Sequence, residues 1–308
     1  MAIASTFLIG ANDEHGLNPP TAGKRTPIMP YINHSFYENE FNRRAKNAFI
    51  EACLRCGYNT FDVKPEIQDI SIITRVRRIN SAGLTLLITY AYNAFGTGAT
   101  FNAGNGYEVY YSQLNRLANQ SRQLSEEIYA SFLNTVNNNG RGVNTLNVSV
   151  LSAVNCPSSL IEAGFMTNFE EAKLMLDQIY ILQIAEATCQ GVCNYLDVEY
   201  IPREDFSAYP TLRRGTRGNK VKLLQYLLND YGYNLTPDGV FGTRTYNAVQ
   251  DFQRNADLVV DGIVGGNTWR KLLNPQGQLV RLGDKGPAVY YLQQKLLSKP
   301  SNQIKNIL

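Results

Sequence analysis

Two histidines are all that this chain of 308 residues carries, so chemistry that needs an imidazole must use His15 or His34. His15 sits in the polar turn Asn12-Asp13-Glu14-His15-Gly16, just after a short β-rich run at 6–11. Glu38 opens a stretch with helical apolar spacing, and Glu162 falls inside the apolar run Ser159-Leu160-Ile161-Glu162-Ala163-Gly164-Phe165. A carboxylate in such a run is costly to bury unless something pairs with it. Imidazole and carboxylate are donors for catalytic zinc, which commonly takes three protein ligands and leaves a fourth position for water. A Lewis acid of that kind polarises a carbonyl and makes water nucleophilic near neutral pH, which amide hydrolysis requires. Singly, a loop histidine is more often a surface residue, and an acid opening a helix is favoured by the dipole. Glu162 has no such ordinary explanation.

The elements that must position these groups alternate. Phe41, Ala45, Ala48, Phe49, Ala52 and Cys53 predict a helix over 41–56 that stops at Gly57. Strands are expected at 58–63, 84–91, 107–111, 146–151 and 160–164, and helices at 70–79, at 112–137 and after 164 to about 196. This order predicts an α/β fold with a mostly parallel mixed sheet flanked by helices, its functional groups at strand ends. Residues 199–211 hold two prolines and no periodicity, and read as a linker between a first domain over 1–198 and a small three-helix module over 212–274. The pattern Leu212-Arg213-Arg214-Gly215 through Gln225 returns at Val280-Arg281-Leu282-Gly283 through Gln293, so 275–308 reads as a partial second copy. A half-module cannot bury its own apolar face, which makes a dimer possible.

The bulk numbers exclude some classes. A net charge of +3 is too mild to argue for nucleic acid, though it would not repel an anionic polymer. No segment reaches the roughly 18 apolar residues of a membrane span. The apolar start, residues 1–10, lacks a basic flank and reads as a first strand, so the expectation is cytoplasmic synthesis without a signal peptide. Five cysteines, an odd number, argue against a disulfide framework. Cys53 and Cys56 with Cys189 and Cys193 make a four-thiolate zinc site conceivable, but buried reduced thiols are the plainer reading.

Five motifs in order resemble those of the zinc-dependent N-acetylmuramoyl-L-alanine amidases: the His15 turn, Glu38 four residues before Asn42, Thr89-Tyr90-Ala91-Tyr92-Asn93-Ala94, Gly106-Tyr107-Glu108-Val109-Tyr110-Tyr111, and Pro157 through Leu160, Glu162, Gly164, Phe165 and Asn168. The C-terminal pattern, with Asp238-Gly239-Val240-Phe241-Gly242 and Asp261-Gly262-Ile263-Val264-Gly265 before Trp269, resembles a peptidoglycan-binding module. The resemblance implies a hydrolase that cleaves the amide between N-acetylmuramic acid and L-alanine, acting at the bacterial wall after release or delivery. It implies zinc on His15 and Glu38, Glu162 as general base, and wall contact through Arg213, Arg217, Asp238, Phe241 and Trp269.

The chain departs from that pattern at two places. Ala91 stands where the resemblance calls for a third, histidine ligand, and alanine has no lone pair to offer. Glu14 stands where the family usually has glycine. His34 belongs to a Pro-rich approach, and Tyr90 and Tyr92 should point away from the Ala91 side. Zinc is therefore expected to be weakened or absent, and cleavage poor. A single loss within an otherwise intact site has the look of an inactivating substitution more than of gradual decay. Two alternatives follow: a non-catalytic wall-binding or regulatory protein, and a zinc peptidase acting within the stem peptide.

Overall fold

The computed structural model describes residues 2–16, 24–30, 33–136, 138–203 and 209–273. The chain divides into two compact units, one of Met1–Cys53 with Tyr58–Tyr200, the other of Leu54–Gly57 with Ile201–Leu308.

The first unit holds a six-stranded sheet of β1 (Leu8–Asp13), β2 (Asn59–Asp62), β3 (Leu86–Asn93), β4 (Tyr107–Tyr111), β5 (Gly140–Thr145) and β6 (Ser158–Phe165), in the order β2-β1-β3-β6-β4-β5. Strands β2, β1, β3 and β6 are parallel; β4 runs antiparallel to β6, and β5 parallel to β4. Six helices accompany them among the described residues: α1 (Glu38–Arg55), α2 (Ile72–Ala82), α3 (Ala118–Thr135), α4 (Ser149–Ser152), α5 (Phe169–Leu174) and α6 (Gln178–Leu196). This is the mostly parallel α/β architecture that the strand–helix alternation predicts.

Both faces of the sheet are covered, which is why β3 is buried along all but its last residue and shows no polar alternation. On one face Leu87 joins Val63, Ile79, Val154 and Cys156, and nearer the strand ends Ala91 and Leu160 join Val150 and Leu151. On the other, Tyr90 and Tyr92 turn toward α1, with ring centroids 5.9 Å from Phe49 and 4.7 Å from Phe41. Ser159 meets Ser125 of α3 on that same side. Helices α3 and α6 approach so closely that a Cβ on Gly191 would lie 2.5 Å from the Ile128 Cα.

One expected strand is misplaced. Residues 146–151 read as a strand, but the strand is β5, just before, and a single turn of helix α4 follows it. Leu146, Val148, Val150 and Leu151 all pack around Ala91 and Leu160, so their alternation comes from covering one patch and not from pairing. The edge strand itself carries Gly140, Arg141 and Gly142, which give no apolar signal. The helix expected from 112 begins only at Ala118, because Asn115 is folded inward to donate to the Leu151 carbonyl at 2.7 Å and to Ser158 Oγ at 3.2 Å.

The second unit contains α7 (Asn219–Asp230), α8 (Thr243–Asn255) and α9 (Gly266–Leu273). Val221, Leu224, Leu227, Val249, Phe252 and Trp269 form its core. A duplicated device ties the helices to the glycine turns. Gln225 Nε2 donates to Asp238 Oδ1 at 2.8 Å while its Oε1 accepts from Gly239 N at 2.9 Å. Gln253 repeats both bonds, with Asp261 at 2.9 Å and Gly262 at 2.9 Å. Each turn glycine has positive φ, 73° and 70°, which the side-chain-free residue tolerates. The partial second copy expected at 275–308 lies outside the described residues, as do 204–208 of the linker. All five cysteines are buried and none forms a disulfide.

Candidate functional site

Parallel strands that end together bring distant sequence positions to one edge. Here Asp13 pairs with Tyr90, Ala91 with Glu162, and Glu162 with Glu108. Glu14 N donates to the Tyr90 carbonyl at 3.0 Å, closing the last pair of the ladder and leaving Glu14 just past the end of β1. Asn12 and Glu14 share a face, since Asn12 Nδ2 donates to Glu14 Oε1 at 3.2 Å and faces Thr89. Positions 14, 91, 162 and 108 thus stand in one row across four neighbouring strands.

His15 comes next along the chain and is held in the left-handed region at φ 62°. A non-glycine residue there marks local strain that the surroundings must enforce. They do so through Gly16, where a Cβ would lie 2.2 Å from Asp69 N, and through the buried Arg75, which donates to Asn12 Oδ1 at 2.8 Å, to Asp69 Oδ1 at 2.7 Å and to the Asp13 carbonyl. The imidazole Nε2 lies 3.4 Å from Glu38 Oε2.

Glu38 opens α1, its own N–H donating to the Lys24 carbonyl at 3.0 Å. Its Oε1 accepts from Asn42 Nδ2 at 3.1 Å and from Tyr92 N at 3.0 Å. The β3–β6 register shifts between Ala91 and Asn93, and that irregularity leaves Tyr92 N free to point at the carboxylate. Asn42 also donates to the Glu14 carbonyl at 3.1 Å, so one amide fixes both the glutamate and the histidine loop. Oε2 is left facing His15.

Electrostatics at this edge are lopsided. Burial raises the Glu38 pKa to about 7 against the hydrogen bonds from Tyr92 and Asn42, and the Glu14 charge adds to it. Burial pushes Glu162 well above the usual carboxylate range, with Glu38, Glu14 and Glu108 adding. Its Oε2 is closed off and has no hydrogen-bond partner. His15 is lowered to about 4 by burial and then by Lys24, so at neutral pH it presents a neutral imidazole with a lone pair. Carboxylates this crowded keep their charge only beside a cation.

That combination fits a divalent ion: a neutral imidazole and a carboxylate oxygen 3.4 Å apart, with the orphaned Glu162 oxygen at the same sheet edge. Among the described residues, no three donor atoms from this edge yet lie within 4.8 Å of one another. Ala91 is where the set is short. It is 3% exposed and packs on Val150 and Leu151, offering only a methyl group. His34 does not make up the deficit; it bridges Met29 and lays its ring against Tyr37. Beside the row runs a cleft of about 430 Å³ lined by Lys24, Arg25, Ser35, Thr97 and Met166 among others.

Several residues here escape sequence reasoning. Glu108 accepts from Tyr110 Oη at 2.7 Å and pairs with Arg141 at 3.2 Å, which its place in an alternating strand hints at. Asp13, Lys46 and Lys64 form a fully buried ion cluster, with Asp13 Oδ1 2.8 Å from Lys46 Nζ and Oδ2 2.9 Å from Lys64 Nζ. Burial alone would raise Asp13, but the two ammonium groups hold it below the ordinary value. Nothing in composition announces that cluster.

In the second unit the expected wall-contact residues separate. Arg213 and Arg217 are exposed. Asp238 is held in its turn by Gln225 and by Val240 N at 2.8 Å. Phe241 at 1% and Trp269 at 0% exposure are core residues, the indole N–H donating to the Pro210 carbonyl at 2.9 Å. Burial gives these two a packing role in place of the expected ligand contact.

The fold and its edge define an α/β protein with a candidate hydrolytic centre of imidazole and carboxylate, followed by a small helical module. Residues 19–194 match the N-acetylmuramoyl-L-alanine amidase family, and residues 217–272 match the putative peptidoglycan binding domain. The chain belongs to the N-acetylmuramoyl-L-alanine amidase family. It is 30% identical over 125 residues to the N-acetylmuramoyl-L-alanine amidase LytC of Bacillus subtilis (strain 168), covering 41% of this chain and 24% of that protein. Its fold is shared with the N-acetylmuramoyl-L-alanine amidase of Clostridium difficile 630, at a TM-score of 0.54 and 24% identity over 63% of this chain and 98% of that one. The amidase AmiC2 of Nostoc punctiforme superposes with a TM-score of 0.53 at 20% identity, over 63% and 99% of the two chains. The chain thus spans about a quarter of the LytC length. Glu14 and His15 precede the matched residues, so their placement rests on the strand register.

Proposed function

We propose that this protein hydrolyses the amide between the lactyl group of N-acetylmuramic acid and the L-alanine of the stem peptide, using zinc at the strand ends. The domain of 1–198 is the catalytic part and the module of 212–274 holds it to peptidoglycan. The observation that carries this reading is the His15–Glu38 pair standing beside the orphaned carboxylate of Glu162 in a chain of this family.

His15 Nε2 and Glu38 Oε2 would hold the ion, each fixed by the contacts described above. Bound there, zinc supplies a Lewis acid for the scissile carbonyl and acidifies a water. Glu162 takes the water's proton on its unpartnered oxygen and delivers it to the departing amine. Burial raises its pKa, which favours keeping the proton for the second half of that task. Lys24 and Arg25 line the adjacent cleft and match the carboxylates of a stem peptide. His15 and Glu38 alone hold an ion weakly, so activity depends on a further donor. Among the described residues no helix is long and apolar enough to cross a membrane, and action at the wall is part of the same proposal.

The test is digestion of purified peptidoglycan by zinc-loaded protein. New L-alanine amino termini, with glycan strands freed of peptide by mass spectrometry, are expected. Glu162→Gln should reduce the rate by about 10²–10⁴-fold while leaving zinc binding in place. Fragments cut within the stem peptide would point to a peptidase instead.

A further inference from the structure

We infer that Glu14 supplies the third metal donor in this chain, taking from the neighbouring strand the role that position 91 does not fill. The inference rests on the metal-site reading above. The Glu14 N–H donates to the Tyr90 carbonyl just past the end of β1, which brings Glu14 next to Ala91, and its bond from Asn12 puts it on the face that Asn12 shares with Thr89. Ala91 contributes only a methyl group there, so no side chain on β3 stands between Glu14 and Glu162. The next residue is His15, whose Nε2 already shares a 3.4 Å approach with Glu38 Oε2. The Glu14 backbone is clamped by Asn42, the same amide that orients Glu38.

The Glu14 carboxylate accepts one hydrogen bond, from Asn12 Nδ2 at 3.2 Å, and feels the charge of the buried Arg75. Turning the side chain toward His15 and Glu38 gives up that one hydrogen bond and sets the carboxylate on an ion. Zinc accepts one His with two carboxylates in place of two His with one, since both donor types serve it in catalytic sites. The two places at which this sequence leaves the motif it otherwise follows, 14 and 91, are thus neighbours across one strand pair. A donor lost at 91 and a donor gained at 14 is a single exchange. The site it yields is more anionic.

The experiment measures metal and not turnover. Metal-stripped full-length protein is titrated with zinc by calorimetry, and with cobalt(II) by absorption, in the unsubstituted chain, Glu14→Gln, Ala91→His and the double variant. Expected are one ion per chain, a cobalt spectrum without thiolate charge-transfer bands, and affinity at least about tenfold weaker in Glu14→Gln. Ala91→His should restore binding in the Glu14→Gln background. Unchanged affinity in Glu14→Gln overturns the inference, as does an unsubstituted chain that binds no ion until histidine is placed at 91. Thiolate bands would assign the ion to the cysteines and also overturn it. Circular dichroism of each variant separates a lost ligand from a lost fold. Peptidoglycan cleavage does not enter these readouts, so failure of the amidase reading is seen separately, as a zinc-loaded protein that releases no amino termini.

Discussion

Burial moves Glu38 and His15 in opposite directions, and the metal-free protein should report both in its stability. Glu38 keeps its proton to about pH 7 when folded, against 4.5 for the free side chain. Its contribution is greatest below 4.5 and is lost as pH rises to about 7. His15 is the reverse: folded near 4 against 6.5 free, it contributes fully above 6.5 and loses that as pH falls toward 4. In Glu38→Gln the melting temperature should therefore fall more steeply than in the unsubstituted chain on acidification from pH 6.5 to 4, by a few degrees. In His15→Gln it should instead rise relative to the unsubstituted chain from pH 7 to 4.5. Parallel melting profiles for all three proteins would rule out both shifts. At this scale the sequence was informative where chemistry and cost coincide. Glu162 in an apolar strand, Glu38 at a helix start and His15 after a strand are visible as anomalies or motif positions. Glu14 was not visible as a donor, because its meaning depends on which strand lies beside it.

At the scale of elements, β1 and α1 carry the site between them, and Lys46 is their link. From the middle of α1 it reaches Asp13 at 2.8 Å and Asp62 at 2.8 Å, with no solvent contact. Removing one partner of a buried ion pair costs about 3–5 kcal/mol, because the other charge is left buried and unpaired. Lys46→Met should lower unfolding free energy by that amount in urea titrations, though the methylene stem is kept. A loss below about 1 kcal/mol would mean that Lys64 alone satisfies Asp13. Periodicity located α1, β3 and β6 because their apolar patterns are strong. It missed β5 and α4, where exposed Gly140, Asn144 and Thr145 pair with β4 at the edge while Val150 and Leu151 cover Ala91.

For the whole molecule, two family matches on one chain make the proposed wall attachment testable apart from the proposed catalysis. Arg213 and Arg217 are exposed in the second unit, whereas Phe241 and Trp269 are interior. Arg213→Glu with Arg217→Glu should cut cosedimentation with purified peptidoglycan several-fold, most at low salt, and leave cleavage of a soluble muropeptide unchanged. Retention on the wall at every ionic strength would assign binding to other residues of the module. The family, the α/β class, the module and most members of the proposed site are legible in the sequence, because motif order and apolar spacing are local properties of the chain. Tertiary packing shows that Phe241 and Trp269 are core and that Asn42 fixes both Glu38 and the His15 loop. It alone also set Glu14 beside Ala91. Those facts depend on register and burial, which are set by what packs across the sheet and are written in no single stretch of sequence.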